Sequence, residues 1–294
     1  MNLNISIGIM AYNEEATIGQ LLDALLKQDF VNCHLKEIIV VASGCTDNTV
    51  EKTLQFSKKD KRITLFTQKK REGKASAINL FISKATGNIL ILESGDTIPE
   101  LGTISKLIAP FDNPKIGMTG ACPVPVNSKA NFIGFAVNLM WSLHHEISLI
   151  SPKMGELVAF RNLINTLPND TAVDEAYIEA LIKSKGYSLS YVSDAVVMNK
   201  GPENIKDFLT QRRRIAAGHK HLYCELKHEV STQNPFKILT ILFKKRSWNK
   251  KELIWVLGTI CLEGLGRLLG FFDFYVLKRN PYIWKIAAST KELK

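Results

Sequence analysis

The sequence has few cysteines for a disulfide-stabilised or zinc-binding protein. It contains five in 294 residues, an odd number, and no two of them form a C-x-x-C pair. They are scattered along the chain as Cys33, Cys45, Cys122, Cys224 and Cys261. We therefore expect neither a disulfide framework nor a zinc site, and we expect a reducing compartment.

Three further absences exclude other classes of protein. No glycine-rich G-x-G-x-x-G turn follows the first apolar segment, which disfavours a dinucleotide cofactor. The acidic stretch Tyr12–Glu15 stands where a nucleotidyltransferase would carry a basic, glycine-rich loop. No secretory signal is expected at the start of the sequence, because Asn4–Ala11 already has the pattern of a β-strand.

Positive charge is confined to the C-terminal third. Residues 200–294 contain 19 Lys and Arg against 8 Asp and Glu, whereas the preceding residues are nearly neutral. Such asymmetry indicates an anionic partner for this region. Because Trp, Phe and long apolar runs are interleaved with the basic residues, the pattern favours an anionic membrane surface over nucleic acid.

Apolar strands alternate with amphipathic helices through the first hundred residues. The predicted strands are Asn4–Ala11, Glu37–Ala42, Arg62–Thr67 and Asn88–Leu92. Three helices are predicted. The first follows Tyr12–Glu15, the second follows Ser43–Thr49 and ends at about Ser57, and the third covers Gly73–Ala85. This spacing is typical of βαβ units and predicts an α/β fold with a Rossmann-like parallel sheet.

Two acidic residues and a serine end the fourth predicted strand. Glu93 and Asp96 flank Ser94-Gly95 directly after the buried run Ile89–Leu92. Ligands of open α/β sheets bind outside the carboxyl ends of the strands, and oxygen ligands suit Mg²⁺ or Mn²⁺. The stretch therefore predicts a divalent metal that carries a diphosphate. The alternative is an acidic loop in which Asp96 or Thr97 caps the next helix.

The C-terminal region is both apolar and basic. Asn234–Phe243 and Leu253–Leu277 are apolar, and Lys244–Lys251 between them is basic. The second run is long enough to span a bilayer, but it contains Glu263, Arg267 and Asp273. We expect helices that lie in the membrane interface, with Glu263 and Arg267 paired on one helix face, rather than a span.

These motifs together resemble those of the family 2 glycosyltransferases, which are inverting enzymes with a GT-A fold that use nucleotide-diphospho-sugars. The resemblance covers residues 4 to about 222. The matching motifs are Tyr12-Asn13-Glu14-Glu15, Ser43–Thr49, Arg71-Glu72-Gly73-Lys74, Ser94-Gly95-Asp96, Asp174-Glu175 and Gln211–Ile215. Two positions depart from the family pattern: Ser94 replaces the first carboxylate of Asp-x-Asp, and Ile215 replaces the Trp of Gln-x-x-Arg-Trp.

The resemblance implies a GT-A Rossmann-like fold followed by an amphipathic, hydrophobic helical tail. We predict a glycosyltransferase domain at 1–222, with a nucleotide-binding half at 1–98 and an acceptor-binding half at 99–222. A membrane-associating region is predicted at 223–294. The predicted donor-binding residues are Ala11, Tyr12, Asn13, Glu14, Ser43, Asp47, Lys74, Ser94, Gly95, Asp96, Gln211, Arg213 and Arg214.

Inverting transfer requires a carboxylate that removes the proton of the acceptor hydroxyl. The resemblance assigns this role to Asp174 or Glu175 and leaves the choice between them open. Asp96 is the predicted ligand of Mn²⁺ or Mg²⁺, and the arginines near Gln211 neutralise the leaving diphosphate. Gly155, Glu156 and Arg161 are expected to line the acceptor pocket, with a structural ion pair as the alternative for Glu156 and Arg161.

The predicted function is transfer of a hexose or N-acetylhexosamine from a UDP- or GDP-sugar to a lipid-linked glycan. The predicted place is the cytoplasmic side of the cell membrane, which the chain contacts through 234–280. Two alternatives stay open: a polyprenyl-phosphate glycosyl synthase, and an inactive, membrane-docked protein that binds nucleotide-sugars. Nucleic acid is not an expected partner.

Overall fold

The computed structural model describes residues 3–233, 235–244, 248–283 and 290. The strands are β1 (Leu3–Ala11), β2 (Cys33–Ser43), β3 (Ile63–Gln68), β4 (Ile89–Ser94), β5 (Thr97–Pro99), β6 (Ile116–Pro125), β7 (Val158–Arg161) and β8 (Ser188–Asn199). The helices are α1 (Ile18–Leu26), α2 (Thr49–Lys59), α3 (Lys74–Lys84), α4 (Thr103–Ile108), α5 (Phe132–Ile150), α6 (Asp174–Ser184), α7 (Ile205–Leu226), α8 (Pro235–Lys244) and α9 (Lys250–Tyr275).

All eight strands form one mixed sheet in the order β3-β2-β1-β4-β7-β6-β8-β5. The first four strands in this order are parallel, as the alternating pattern predicts. β7 is antiparallel to both of its neighbours, β4 and β6. Because β1, β2, β3 and β4 run in the same direction, their carboxyl ends meet at one edge of the sheet, where ligands of such sheets bind.

Helices cover both faces of the parallel half. The side chains of Ile5, Ile7 and Ile9 share one buried cluster with α1, and alternate residues of β4 share the opposite cluster with α3. α3 packs closely on β1 because Gly8 has no side chain: a Cβ at Gly8 would lie 2.5 Å from the Phe81 ring. This packing fixes the amino end of α3 beside the carboxyl end of β4.

The chain after β4 continues in the sheet. Thr97–Pro99 forms β5 and pairs with β8, and the next helix, α4, begins only at Thr103. The helix-capping alternative for Asp96 and Thr97 is therefore wrong. The turn at Gly95 and Asp96 lies between two strands, so the Asp96 carboxylate is available for other partners.

The C-terminal helix α9 lies along α7. Gly270 allows the close approach, since a Cβ there would lie 2.6 Å from Ala216 Cβ. Arg267 Nε donates to Glu263 Oε1 at 2.8 Å, so the predicted pairing of these residues is confirmed. The expected apolar segment from Asn234 and the basic segment Lys244–Lys251 lie partly outside the described residues, at 234 and 245–247.

Candidate active site

The loops after β1 and β2 are tied together at the carboxyl edge of the sheet. Asn13, whose φ of 53° is in the left-handed region, accepts a hydrogen bond from the Thr46 amide at 2.8 Å and donates one to Thr46 Oγ1 at 3.2 Å. The Ala11 carbonyl accepts a weak bond from Cys45 Sγ at 3.6 Å. The predicted donor-binding residues Ala11 and Asn13 therefore shape this edge.

Tyr12 presents an aromatic ring at the same edge. The guanidinium of Arg71 lies 4.2 Å from the ring centroid of Tyr12, which is close enough for a cation–π contact. The pair is suited to stacking against a planar base. Arg71 was predicted only as part of the basic glycine turn before α3, two residues before Gly73.

The side chain of Asp47 links the loop after β2 to the loop after β1. Its carboxylate accepts hydrogen bonds from the Glu15 amide at 3.0 Å, the Thr49 amide at 3.0 Å and the Thr49 hydroxyl at 2.5 Å. Burial raises the pKa of Asp47, but these hydrogen bonds outweigh it and hold the pKa below its usual value. Both carboxylate oxygens of Asp47 are thus engaged within the protein, unlike those of a residue free to bind the donor.

Ser43 and Glu14 also make internal contacts. Ser43 Oγ accepts the Glu72 amide at 3.3 Å, which holds the turn before α3 against β2. Glu14 is 4 % exposed, and its side chain packs so closely on Gly95 that a Cβ at Gly95 would lie 2.8 Å from Glu14 Cγ. Gly95 is therefore needed for the turn that presents Asp96.

Lys74 joins the two halves of the chain. Its Nζ lies 2.6 Å from Glu175 Oε1 and 3.3 Å from Ser94 Oγ. Burial alone would lower the pKa of the Lys74 amine, but the carboxylates of Glu175, Asp174 and Glu156 raise it above its usual value. A lysine in this position provides a fixed positive charge in a cleft that is otherwise acidic.

Three carboxyl groups, those of Glu93, Glu156 and Asp96, repel one another electrostatically near Lys74. Burial, with repulsion from Glu156 and Asp96, raises the pKa of Glu93 to about 8. Burial, with repulsion from Asp96 and Glu175, raises the pKa of Glu156 to about 7. Glu93 is 1 % exposed, and its Oε2 has no hydrogen-bond partner in the described part of the chain. A cation placed among these groups would relieve their repulsion.

The donor set fits a divalent metal that is shared with a phosphate ligand. Within the described residues, no group of three or more His, Cys, Asp or Glu is placed to hold a metal alone. The half-buried Asp96 carboxylate accepts no hydrogen bond from the part of the chain that the structure describes. Mg²⁺ commonly binds through one or two carboxylates and substrate phosphates, which is the arrangement that Asp96 and Ser94 allow.

Asp174 and Glu175 open α6 but differ in their surroundings. Asp174 is 2 % exposed, and burial together with the charge of Glu175 raises its pKa. Although burial opposes ionisation, Lys74 holds the pKa of Glu175 below its usual value. The side chain of Glu175 is 20 % exposed. Glu175 is therefore the more exposed of the two carboxyl groups and the one that favours the ionised form.

α7 sends its adjacent arginines in different directions. Arg214 lies near the carboxyl groups of Asp174, Glu175 and Glu156, whose charges raise its pKa. Burial outweighs them and lowers the pKa of Arg214 below its usual value. Arg213 instead forms a salt bridge with Asp273 of α9, in which its Nε and one terminal guanidinium nitrogen donate to the two carboxylate oxygens. The structure thus brings Arg214 to the carboxylates and leaves Arg213, a predicted donor-binding residue, in the α7–α9 interface. Gln211 is half-buried on the same helix.

Arg161 lies far from the site, contrary to the prediction for the acceptor pocket. It pairs with Ile89 at the amino end of β4, about 17 Å from Ser94 along that strand. Its guanidinium donates to the carbonyls of Ile116 and Phe111 at 2.8 and 3.1 Å. The antiparallel direction of β7 carries Arg161 to the opposite edge of the sheet, so it forms no ion pair with Glu156.

Gly155 and Glu156 lie on the segment before β7, and their assignment to the acceptor pocket stays a prediction. Glu156 shares the electrostatic field of Lys74, Asp96 and Arg214. A Cβ at Gly155 would lie 3.2 Å from Pro123 Cγ, so the absence of a side chain lets β6 approach this segment. The sequence assigned no metal to His144, which is buried near Gly155.

Comparison with known proteins agrees with this geometry. The family model described as "Glycosyl transferase family 2" matches residues 6–166, which is more than half of the chain. The chain is 24 % identical to a poly-β-1,6-N-acetyl-D-glucosamine synthase of Staphylococcus epidermidis, over 97 % of this chain and 71 % of the relative. It is also 24 % identical to an uncharacterised glycosyltransferase of Haemophilus influenzae, over 78 % of this chain and 72 % of the relative.

Two solved structures share the fold. A mannosyltransferase of Pyrobaculum calidifontis, in complex with GDP-Man and Mn²⁺, aligns with a TM-score of 0.68 at 19 % identity, covering 95 % of this chain and 89 % of its own. Glucosyl-3-phosphoglycerate synthase of Mycobacterium tuberculosis, with Mn²⁺, UDP-glucose and glycerol 3-phosphate, aligns with a TM-score of 0.56 at 19 % identity, covering 78 % and 82 %. The chain belongs to glycosyl transferase family 2 and is a glycosyltransferase with a GT-A fold.

Proposed function

We propose that this chain is an inverting glycosyltransferase that moves a hexose or N-acetylhexosamine from a UDP- or GDP-sugar to a glycan or lipid-linked acceptor. The observation that carries the proposal is the position of Lys74, whose amine contacts both Ser94 on the nucleotide side and Glu175 on the acceptor side. Donor phosphates and an acceptor nucleophile would meet at this point. The GDP-Man and UDP-glucose bound by the structural relatives support the donor class.

Glu175 is the proposed general base. A base must come within about 3 Å of the acceptor hydroxyl, and Glu175 is exposed to the cleft whereas Asp174 is buried. Lys74 keeps Glu175 ionised, and an incoming acceptor would compete with Lys74 for the same oxygen. Asp174 is the neighbour of Glu175 in the sequence, and its protonation state would change the total charge of these two carboxyl groups.

The leaving nucleoside diphosphate gains negative charge as the glycosidic bond breaks. Lys74 and Arg214 are the cations of this chain that the proposal places against that charge, and arginine can engage two phosphate oxygens at once. Asp96, with Ser94 beside it, would hold a divalent cation, Mn²⁺ or Mg²⁺, that supplies further charge neutralisation when it is bound. Tyr12 and Arg71 would receive the base.

We further propose that residues 223–294 dock the enzyme on the cytoplasmic face of a membrane, while 1–222 contain the donor and acceptor halves. α9 is the one helix of the described residues that is long and apolar enough to cross a bilayer. Only 22 % of its most apolar 18-residue window is buried in the protein. Its charged residues Glu263 and Asp273 face α7 and are paired there, so its outer face is free for lipid.

A polyprenyl-phosphate glycosyl synthase is the second candidate. The Lys74–Glu175 contact favours it, because a carboxylate held by a lysine at 2.6 Å is a weak base. A phosphate oxygen is already ionised and needs no base. The acceptor would then be anionic, and the chemistry of the donor side would be unchanged.

The test of the proposal is thermal stabilisation of the purified protein by a panel of nucleoside diphosphates with Mn²⁺, Mg²⁺ or EDTA. A ligand at about 100 times its Kd stabilises a protein by about 2.7 kcal/mol, which raises Tm measurably. A metal-dependent shift with UDP or GDP that disappears in Asp96→Ala is expected. Asp23→Ala, an exposed aspartate on α1, is the matched control. A cooperative melt without a shift for any nucleotide would contradict the proposal, and it would count equally against an inactive protein that binds nucleotide-sugars.

A further inference from the structure

The segment that follows α9 returns across the molecule to the amino end of α3. After α9, Lys278 adopts a left-handed φ of 49°, which turns the chain back. The Arg279 amide donates to the Asp273 carbonyl at 2.9 Å, and its own carbonyl lies 3.4 Å from His221 Nε2 on α7. These contacts anchor the start of Arg279–Ile283, which we call the strap.

The strap then crosses the junction between α3 and α6. Asn280 Nδ2 donates to Asp170 Oδ2 at 3.3 Å, on the loop that leads into Asp174. That loop is also joined to α3, because Asn79 exchanges hydrogen bonds with the Leu167 backbone at 2.8 and 2.7 Å. The strap therefore contacts the loop that positions the α6 carboxylates.

Tyr282 reaches the donor side of the same junction. A Cβ built on Gly73 would lie 3.3 Å from Tyr282 Cδ2 and 3.6 Å from its carbonyl oxygen. Gly73 directly precedes Lys74, whose amine lies between Ser94 and Glu175. The Tyr282 side chain is half-buried, so part of it faces open space beside this glycine.

We propose that the strap forms one wall of the donor site and that Tyr282 contacts the bound nucleoside diphosphate. This inference rests on the proposed function, since it assumes that the diphosphate lies at Ser94, Asp96 and Lys74. The amino end of α3, which begins at Lys74, lies on one side of that position, and helix amino ends favour anions. Tyr282 covers it from the side of Gly73, and its ring restricts escape of the nucleotide to solvent.

The strap is anchored to α7 and α9 by its first residue, Arg279. Asp273 and His221 hold the strap at the α7–α9 pair, so the wall is present only when α9 is packed against α7. Donor retention is thereby linked to the same helix whose outer face we propose to lie on the membrane. Loss of the Tyr282 ring should affect affinity for the nucleotide while the fold of the GT-A domain is maintained.

The experiment measures the Kd of UDP and GDP with Mn²⁺ by calorimetry for the full-length protein and four variants. Tyr282→Ala should weaken binding by about tenfold, as loss of a buried aromatic contact commonly does. Tyr282→Phe keeps the ring and should bind within about twofold of the unchanged protein. Asn280→Ala, which removes the Asp170 contact, should weaken binding in the same direction but less. Leu54→Ala removes an exposed apolar side chain from α2, away from the strap, and is the control.

The outcomes separate this inference from the proposed function. If the unchanged protein binds a nucleotide and Tyr282→Ala binds it equally well, the wall is wrong and the proposed function stands. If the unchanged protein binds neither UDP nor GDP, both fail. A Tyr282→Ala protein with an unaltered ligand-free Tm and a raised Kd would support the wall, because a merely structural role would lower Tm.

Discussion

Lys74 Nζ lies 2.6 Å from Glu175 Oε1, although 101 positions separate the two residues in the sequence. The contact joins the first turn of α3, which follows β3, to the first turn of α6, which follows β7. Each partner is about one-fifth exposed, so water screens the pair only in part. This ion pair brings the two halves of the glycosyltransferase into a single site.

Glu175→Gln is expected to lower kcat with a hydroxyl acceptor by about 10² to 10⁴, the usual contribution of a general base. Asp174→Asn should have a smaller effect, because that carboxyl group is buried beneath the site. Initial rates with each variant, at saturating donor, provide the measurement. The ligand-free Tm of both variants serves as the control for folding.

An anionic acceptor would give a different result. If Glu175→Gln and Asp174→Asn combined leave turnover largely intact, no base is needed and the acceptor attacks through a phosphate oxygen. If Asp174→Asn alone abolishes turnover while Glu175→Gln does not, the assignment of the base to Glu175 is wrong.

The parallel half of the sheet could be predicted from the sequence because its strands are apolar on both faces. β1, β2 and β4 lie within a few residues of their predicted bounds. Polar residues that end parallel strands must meet at one edge, so the proximity of Tyr12, Ser43 and Asp96 followed from strand direction alone. The family resemblance and the fold, and with them the enzyme class, are confirmed.

The parts that could not be predicted depend on tertiary packing. Arg161 was misplaced because no pattern in the sequence shows that β7 runs antiparallel to β4. Arg213 and Arg214 are adjacent, yet successive helix residues point about 100° apart, so only the packing of α9 decides which one faces the site. The contact between Tyr282 and Gly73 joins positions that no local signal connects.

The two arginines of α7 should therefore separate stability from catalysis. Arg213→Ala leaves the Asp273 carboxylate, which is 7 % exposed, without its partner and should lower the free energy of unfolding by about 1–3 kcal/mol. Arg214→Ala should lower kcat by about 100-fold, because it removes a cation from the leaving group, whereas Arg213→Ala should leave kcat largely unchanged. Urea denaturation and steady-state rates measure the two effects. A reversal of this pattern would show that Arg213 serves the site.

Stability should fall as pH rises because of Glu93. Its pKa of about 8 in the folded protein exceeds the usual value of 4.5, so the folded state retains a proton that the unfolded state has lost. The stabilising contribution is therefore complete below about pH 4.5 and disappears as pH rises to about 8. Glu93→Gln mimics the protonated form, and its stability relative to the unchanged protein should increase from pH 5 to pH 9, by on the order of 3 kcal/mol. Urea denaturation in EDTA measures this, and a pH-independent difference would contradict the shift.

The outer face of α9 should control membrane binding without affecting the fold. Leu257 and Leu268 are 54 % and 66 % exposed on this face, and burying each leucine in lipid is worth about 1.5–3 kcal/mol. Leu257→Glu or Leu268→Glu should therefore weaken binding to vesicles with anionic lipid by at least about tenfold, while Tm stays unchanged.

Val31→Glu, a charge placed at a 61 % exposed valine outside the helical tail, is the matched control and should bind vesicles normally. Co-sedimentation at low and high salt measures the effect, because the basic residues around α9 should make binding weaken as salt rises. Equal sedimentation of the Leu257, Leu268 and Val31 variants would contradict docking through α9. Release of the unchanged protein by a carbonate wash would identify docking at the surface, since a helix that spans the bilayer stays embedded.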